Sequence, residues 1–258
     1  MKKLLFIPVF AAALFSCKKE NSNLEPTPTL DVEMKNMGVY AVRTATWCGP
    51  CGSSLNNTQE NFENAKDIAV GMAFKDAFSE AQAPYGNFLF DVVGPMFDLA
   101  NSVPTTFQNF NAAYPSSIMQ HIDSAVFVNG NYEIEFSGNQ MTINTTTKFF
   151  RDYGGEVYLA PYIIVDSLVG YQNDHPDSPE TVHMRYVADI AYPSSRDAEA
   201  KFEWGYLVSA GYVDKGHTVN LQFKAEKRDH WKNHNISVGM VYFKKVGTKF
   251  VFFNAFTK

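Results

Sequence analysis

Cys48-Gly49-Pro50-Cys51 is the feature that most constrains this chain, because only three cysteines occur in its 258 residues. A ring closed by a CxxC disulfide removes little entropy from the unfolded state, and the third cysteine, Cys17, has no partner. Disulfides therefore cannot staple the fold, and stability has to come from a core. With 45% hydrophobic residues, 22 Phe and 13 Tyr, the material is sufficient. Local pattern then places the pair. Gly38 to Thr44, with the apolar run Val39-Tyr40-Ala41-Val42, reads as a strand buried on both faces. Ser53 to Lys66, rich in Asn, Glu and Gln, reads as a helix, and Ile68 to Phe74 as a second buried strand. This βαβ order sets the CxxC at a helix N-terminus.

That position implies chemistry. Unpaired backbone N–H groups and the positive end of the helix dipole favour a thiolate at Cys48, lowering its pKa from about 8.5 towards about 7. Cys51, one turn further in, is expected to be shielded and to act second. The order implies that Cys48 attacks a disulfide and that Cys51 then displaces the product as the Cys48–Cys51 bond closes. Pro50 is tolerated in the first turn, where an N–H lacks an intrahelical partner. Two alternatives stand beside this. A zinc site needs four ligands, and no second CxxC or His cluster accompanies the pair. A static disulfide bracing the turn is the other.

The string Ala45-Thr46-Trp47-Cys48-Gly49-Pro50-Cys51 resembles the active site of thioredoxins and of extracytoplasmic thioredoxin-like reductases, and Val103-Pro104-Thr105 is similar to their cis-proline segment. The resemblance implies that Val103 and Pro104 pack against the CxxC and present backbone to a substrate peptide, with Trp47, Gly49 and Pro50 shaping the same surface. One departure concerns proton transfer. Six residues before the first cysteine, where thioredoxins carry a buried acid, this chain has Val42.

The N-terminus addresses location. Lys2 and Lys3 precede an apolar stretch from Leu4 to Phe15, then Ser16 and Cys17, the layout of a secretory signal over residues 1–16. About a dozen apolar residues fall short of the roughly 20 that a spanning helix needs. Leu14-Phe15-Ser16-Cys17 resembles a lipobox, with Phe15 larger than usual, and implies lipidation of Cys17 after cleavage. Removing residues 1–16 leaves 20 basic and 27 acidic residues, a net charge of −7. So mild an acidity argues against a nucleic-acid partner.

Residues 17–36 carry two prolines and no hydrophobic period, and read as a lipidated cysteine with a flexible tether. The first folded domain is expected over 37–125, closed by a helix from Ser116 to Ala125, and a second over 126–258. In the latter, Tyr132, Ile134 and Phe136 alternate with Glu133 and Glu135, and Val219, Leu221 and Phe223 alternate with Asn220 and Gln222. Further strands are expected at Met141 to Thr147, Glu156 to Tyr171 with a break at Pro161, Val182 to Tyr192, Tyr206 to Tyr212, Ile236 to Lys244 and Lys249 to Phe253. The expected fold class is thus an α/β thioredoxin-like N-terminal domain followed by an all-β, Ig-like sandwich. Over residues 17–258 the chain also resembles the outer membrane protein 28-related lipoproteins, through the anchored start, the CxxC, Pro104-Thr105 with Asn109, His183 with Arg185, and the terminal Asn254-Ala255. That resemblance implies an outer-membrane location.

Together these readings lead to a lipid-anchored thiol-disulfide oxidoreductase of the cell envelope. Cys48 and Cys51 carry the chemistry, with no cofactor and no metal; extracytoplasmic proteins bearing thiols or disulfides are the substrates. An oxidising compartment also requires a membrane electron donor. The competing reading is a non-catalytic outer-membrane lipoprotein that binds a partner through its β-sandwich, with the thioredoxin-like part as scaffold. His230 and His234, at i and i+4 without a third ligand, read as loop residues.

Overall fold

The computed structural model describes residues 29–76, 116–193, 204–231 and 233–258. The signal segment, Cys17, Val103, Pro104, Thr105 and Asn109 lie outside the described residues. The first part folds as β1 (Gly38–Ala45), α1 (Gly49–Ser53), α2 (Leu55–Ala65) and β2 (Ala69–Asp76), followed by α3 (Ser116–Ile122). Strands then dominate: β3 (Val128–Ser137), β4 (Gln140–Phe149), β5 (Tyr153–Val165), β6 (Leu168–Gly170), β7 (Thr181–His183), β8 (Tyr186–Ile190) and β9 (Tyr192–Pro193). The last are β10 (Tyr206–Val213), β11 (Thr218–Glu226), β12 (Ile236–Val246) and β13 (Lys249–Phe256).

β1 and β2 pair in parallel from Gly38↔Ala69 to Ala45↔Asp76, as a βαβ unit requires. They do not form a sheet of their own. A seven-stranded sheet runs β1-β2-β8-β5-β12-β13, with β10 also paired to β5. This corrects the fold class expected from the sequence. Among the described residues, no separate α/β thioredoxin-like domain is followed by an independent Ig-like sandwich; they are mostly β, and the α/β unit lends its two strands to one mixed sheet. The physical reason is edge satisfaction. The free edge of β2 has backbone groups that need partners, and the start of β8 takes up one of them, with Ala73 paired to Tyr186 and its N–H donated to Arg185 O.

The sheet curls until its ends meet. Ala255 on β13 donates its N–H to Met37 O, just before β1, at 3.2 Å. The enclosed side packs Val39, Ala41, Val70, Met72, Phe74, Tyr162, Ile164, Val241 and Phe243. Strand alternation sends the intervening residues outward to two other cores. Tyr40, Val42, Ala69 and Ala73 meet Phe62 and Ala65 of α2 and Ile118 of α3. Leu159, Ile163, Val238, Met240 and Tyr242 meet Tyr132, Met141, Ile143 and Phe223 of a four-stranded sheet ordered β3-β4-β11-β9. In place of the self-contained sandwich expected after residue 126, this four-stranded sheet lies as a second layer on the outer face of the shared sheet.

Two local expectations also change. Pro161 does not break β5. It sits where β10, last paired at Tyr206↔Leu159, gives way to β8, first paired at Tyr162↔Ile190, so no ladder partner needs its missing N–H on that side. Residues 30–36, read as the end of a flexible tether, lie along β3 and β4 because polar side chains capture their backbone. Leu30 N–H donates to Thr146 Oγ1 at 2.8 Å, and Asn129 donates to Glu33 O at 3.0 Å.

Asn254 locks this arrangement. It is fully buried, and its Oδ1 accepts from Met37 N–H at 2.9 Å while its Nδ2 donates to Lys35 O at 3.0 Å and Val128 O at 2.6 Å. Asn254→Ala leaves these backbone groups without partners, and a buried orphan costs about 1–3 kcal/mol. We expect the variant to lose about 2–4 kcal/mol of unfolding free energy, measured by urea titration with an unchanged slope.

Candidate functional site

The chain turns from β1 into α1 through Thr46 and Trp47. Thr46 N–H donates to Asp76 O at 2.9 Å, so the turn is pinned to the end of β2, and the exposed Trp47 indole donates to Asp76 Oδ2 at 3.1 Å. Cys48 is the N-cap of α1, with its sulfur accepting from Cys51 N–H at 3.2 Å, and Cys48 and Cys51 are joined as a disulfide. Cys48 is half-buried, whereas Cys51 is only 5% exposed. Pro50 occupies the first turn and faces solvent. The expected single helix is interrupted at Ser54, which caps α1 and precedes α2. Because α1 has five residues, the dipole acting on Cys48 is that of one short turn, weaker than a long helix would supply.

A segment far away in the sequence holds this turn. Gln172, fully buried after β6, donates Nε2 to Ala45 O at 3.0 Å and Cys48 O at 3.1 Å. Asn173 N–H donates to Thr46 O at 2.7 Å and its Nδ2 to Trp47 O at 3.3 Å. His175 reaches Asn56 Oδ1 on α2 through Nε2 at 3.4 Å, and its Nδ1 accepts from Asp177 N–H at 3.2 Å. Gln172, Asn173 and His175 thus satisfy backbone and side-chain groups on both sides of the CxxC.

This clasp explains the two glycines of Cys48-Gly49-Pro50-Cys51-Gly52. A Cβ at Gly49 would lie 2.1 Å from Asp174 Oδ2, and one at Gly52 would lie 1.8 Å from Asn173 O. Asn173 O is backbone and cannot swing away. Gly52→Ala is therefore expected to cost about 1–3 kcal/mol, the range for forced overpacking. Its signature is a lower urea midpoint together with faster proteolysis within residues 171–177 than in the parent chain.

Beneath the turn lies a cavity of about 20 Å³ whose lining includes Cys51, Lys75 of β2 and His183 of β7, with Val42, Phe62 and Ala73 among its apolar walls. Lys75 and His183 are 3% and 4% exposed. Lys75 Nζ lies 2.6 Å from His183 Nδ1 and 3.2 Å from Nε2, so the pair is coupled. Burial pushes the Lys75 ammonium down to about 7. Burial, and then the Lys75 charge, push His183 down to about 3, against the opposing effect of its hydrogen bonds to the Gly170 and Tyr171 backbone. At neutral pH the imidazole is neutral and Lys75 is poised between its two forms.

Cys48, Cys51, Trp47, Gly49 and Pro50, the residues singled out in the sequence, lie at the turn from β1 into α1. The structure adds Gln172, Asn173, Asp174 and Lys75, which sequence reasoning missed, and His183, which it noted only as a mark of a family layout. A lysine next to the end of an otherwise apolar strand, Ala69–Asp76, was the available signal. A pair buried this way weakens the fold in a pH-dependent manner. Between about pH 10.5 and 7 the unfolded chain binds a proton at Lys75 that the native state does not, so stability falls as pH falls through that window and the loss is complete below it. Lys75→Met is expected to raise the unfolding free energy by about 1–4 kcal/mol at pH 6, a gain that fades towards pH 10.5, measured by thermal melts across the range.

Comparison with known proteins supports the fold and stops there. No family model matches the chain, and no curated protein matches it. Among solved structures, HBP35 of Porphyromonas gingivalis superposes with a TM-score of 0.62 at 16% identity, covering 88% of this chain and 76% of that one. The two share a fold.

Proposed function

We propose that this chain is a thiol-disulfide oxidoreductase of the cell envelope, anchored by lipid on Cys17 and acting on thiols or disulfides of extracytoplasmic proteins. The observation that carries the reading is the asymmetric pair at the β1–α1 turn: half-buried Cys48 accepts a backbone hydrogen bond at its sulfur, and buried Cys51 is bonded to it from behind. In the reducing direction, the Cys48 thiolate attacks one sulfur of a substrate disulfide and releases the first thiol. Cys51 then attacks Cys48 Sγ, the mixed disulfide breaks, and the second substrate thiol leaves with the bonding electrons. Substrate gains two electrons and two protons; the pair becomes the disulfide present in the structure. An external dithiol donor at the membrane returns it to the reduced form.

The exposed Trp47 indole beside Cys48 offers an apolar surface to a substrate chain, and the Trp47–Asp76 hydrogen bond fixes its orientation. Lipid anchoring and an outer-membrane location rest on the Leu14-Phe15-Ser16-Cys17 string and on the resemblance to outer membrane protein 28-related lipoproteins.

A Cys51→Ser variant expressed in the native cell is expected to accumulate reducible adducts on Cys48, detected by non-reducing gels and mass spectrometry. Absence of adducts, with the parental Cys48–Cys51 bond resisting mild reductant, would sink the proposal. In the same variant, iodoacetamide labelling of Cys48 is expected to titrate below the free-cysteine value of about 8.5.

A further inference from the structure

Cys51 must lose a proton before it can attack, yet it is 5% exposed, and burial in apolar surroundings disfavours a thiolate. Water outside the protein does not reach such a thiol readily, and Val42 rather than an acid lies in the cavity beside it. The cavity of about 20 Å³ exceeds the roughly 10–15 Å³ that one water requires, and Lys75 and His183 share its lining with Cys51. A buried amine and a buried imidazole in contact, at the wall of a cavity that Cys51 also lines, carry a desolvation cost that an apolar pair would not.

Resting on the oxidoreductase reading above, we infer that Lys75, held by His183, is the proton acceptor and donor for Cys51, acting through a single water in the cavity. In the resolving step the neutral Lys75 amine takes the Cys51 proton. The thiolate attacks Cys48 Sγ, the Cys48–substrate sulfur bond breaks, and the departing substrate thiolate is protonated from the Lys75 ammonium. No proton is left over and Lys75 returns to its starting form. His183 acts as a positioning residue: its Nδ1 lies 2.6 Å from Nζ, and burial makes it the weaker base of the pair, so the transferred proton resides on lysine.

Among the described residues, the ionisable groups facing this cavity are Cys51 from α1, Lys75 from β2, His183 from β7 and Tyr186 from β8; β1 and α2 contribute none. His175, in the clasp, adds to the field at His183. No described carboxylate lines the space. Lys75 being brought down to about 7 by burial suits this task, since a base works best with a pKa near the working pH.

The test uses the reduced mature chain and the chromogenic disulfide dithionitrobenzoate at equal concentration. The first burst of thionitrobenzoate reports attack by Cys48 and the second reports resolution by Cys51. Wild type is expected to show a second phase that rises with pH around an inflection near 7. In Lys75→Met, and in Lys75→Gln as the more nearly isosteric polar replacement, the second phase is expected to slow at least about tenfold at pH 7, with its inflection moved above about 8.5, while the first phase keeps its rate. An unchanged second phase in either folded variant, or a wild-type inflection in the free-thiol range, overturns the relay and leaves the oxidoreductase reading standing. A wild-type chain that shows no second phase removes both.

Discussion

The junction between β2 and β8 is the constraint on which the rest of this molecule depends, and it rests on one side chain. The two strands are in register at a single pair, Ala73↔Tyr186, too little to fuse two sheets by backbone bonding alone. Arg185 supplies the difference. Its carbonyl accepts from Ala73 N–H at 2.8 Å, its Nε donates to Gly71 O at 3.1 Å, and its Nη1 reaches Asp166 Oδ2 and Ser237 Oγ at 3.4 Å. One residue thus joins β2, the β5–β6 connection and β12. Its φ of 53° lies in a region that side chains disfavour, and the surrounding bonds hold it there. A planar fork with several fixed donors suits this role; a lysine point charge would not.

Once β2 is tied to β8, the Cys48–Cys51 turn acquires neighbours from the second half of the chain. β8 follows β7, β7 pairs with β6, and β6 leads into the clasp of residues 171–175. The same topology that corrects the expected fold class places Gln172 against the carbonyls of Ala45 and Cys48 and sets His183 beside Lys75. A self-contained α/β domain would have had to close the site with residues of its own. Here the β-rich half does it, and Gln59 Nε2, donating to Val182 O at 2.6 Å, fastens α2 to the same layer.

Strands were legible because alternation is a local property. Tyr132, Ile134 and Phe136 mark β3, although Phe136 is exposed where the strand outruns its core. Pairing is not local. Nothing near Ala73 names Tyr186 as its neighbour, so adjacent strands with a helix between them read as a domain. The site divides the same way. Cys48 and Cys51 declare themselves by spacing, whereas Gln172-Asn173-Asp174-His175 has the composition of any polar loop, and its meaning lies in backbone groups it meets on β1 and α1. Lys75 stands next to the end of an apolar strand, at a place where lysine is ordinarily solvated, and His183 sits in a three-residue strand too short to show a period. The terminal Asn254, noticed in the sequence only as part of a layout, holds three backbone segments together.

The chemical consequence of Val42 follows from the sign of charge. A buried carboxylate accepts a proton by losing its charge, while a buried neutral amine accepts one by gaining it. In a low-dielectric cavity an ammonium beside a newly formed Cys51 thiolate is an attractive pair, whereas a carboxylate beside it would be repulsive until protonated. A carboxylate added next to Lys75 would pair with it, lock the lysine in its charged form and leave no acceptor near neutral pH. An apolar residue at position 42 therefore belongs with a buried lysine. Valine keeps the dielectric low, and low dielectric is what brings Lys75 to about 7. The cost is the destabilisation inherent in burying Lys75 and His183 together, which an apolar substitution would relieve while removing the amine from the cavity that Cys51 lines.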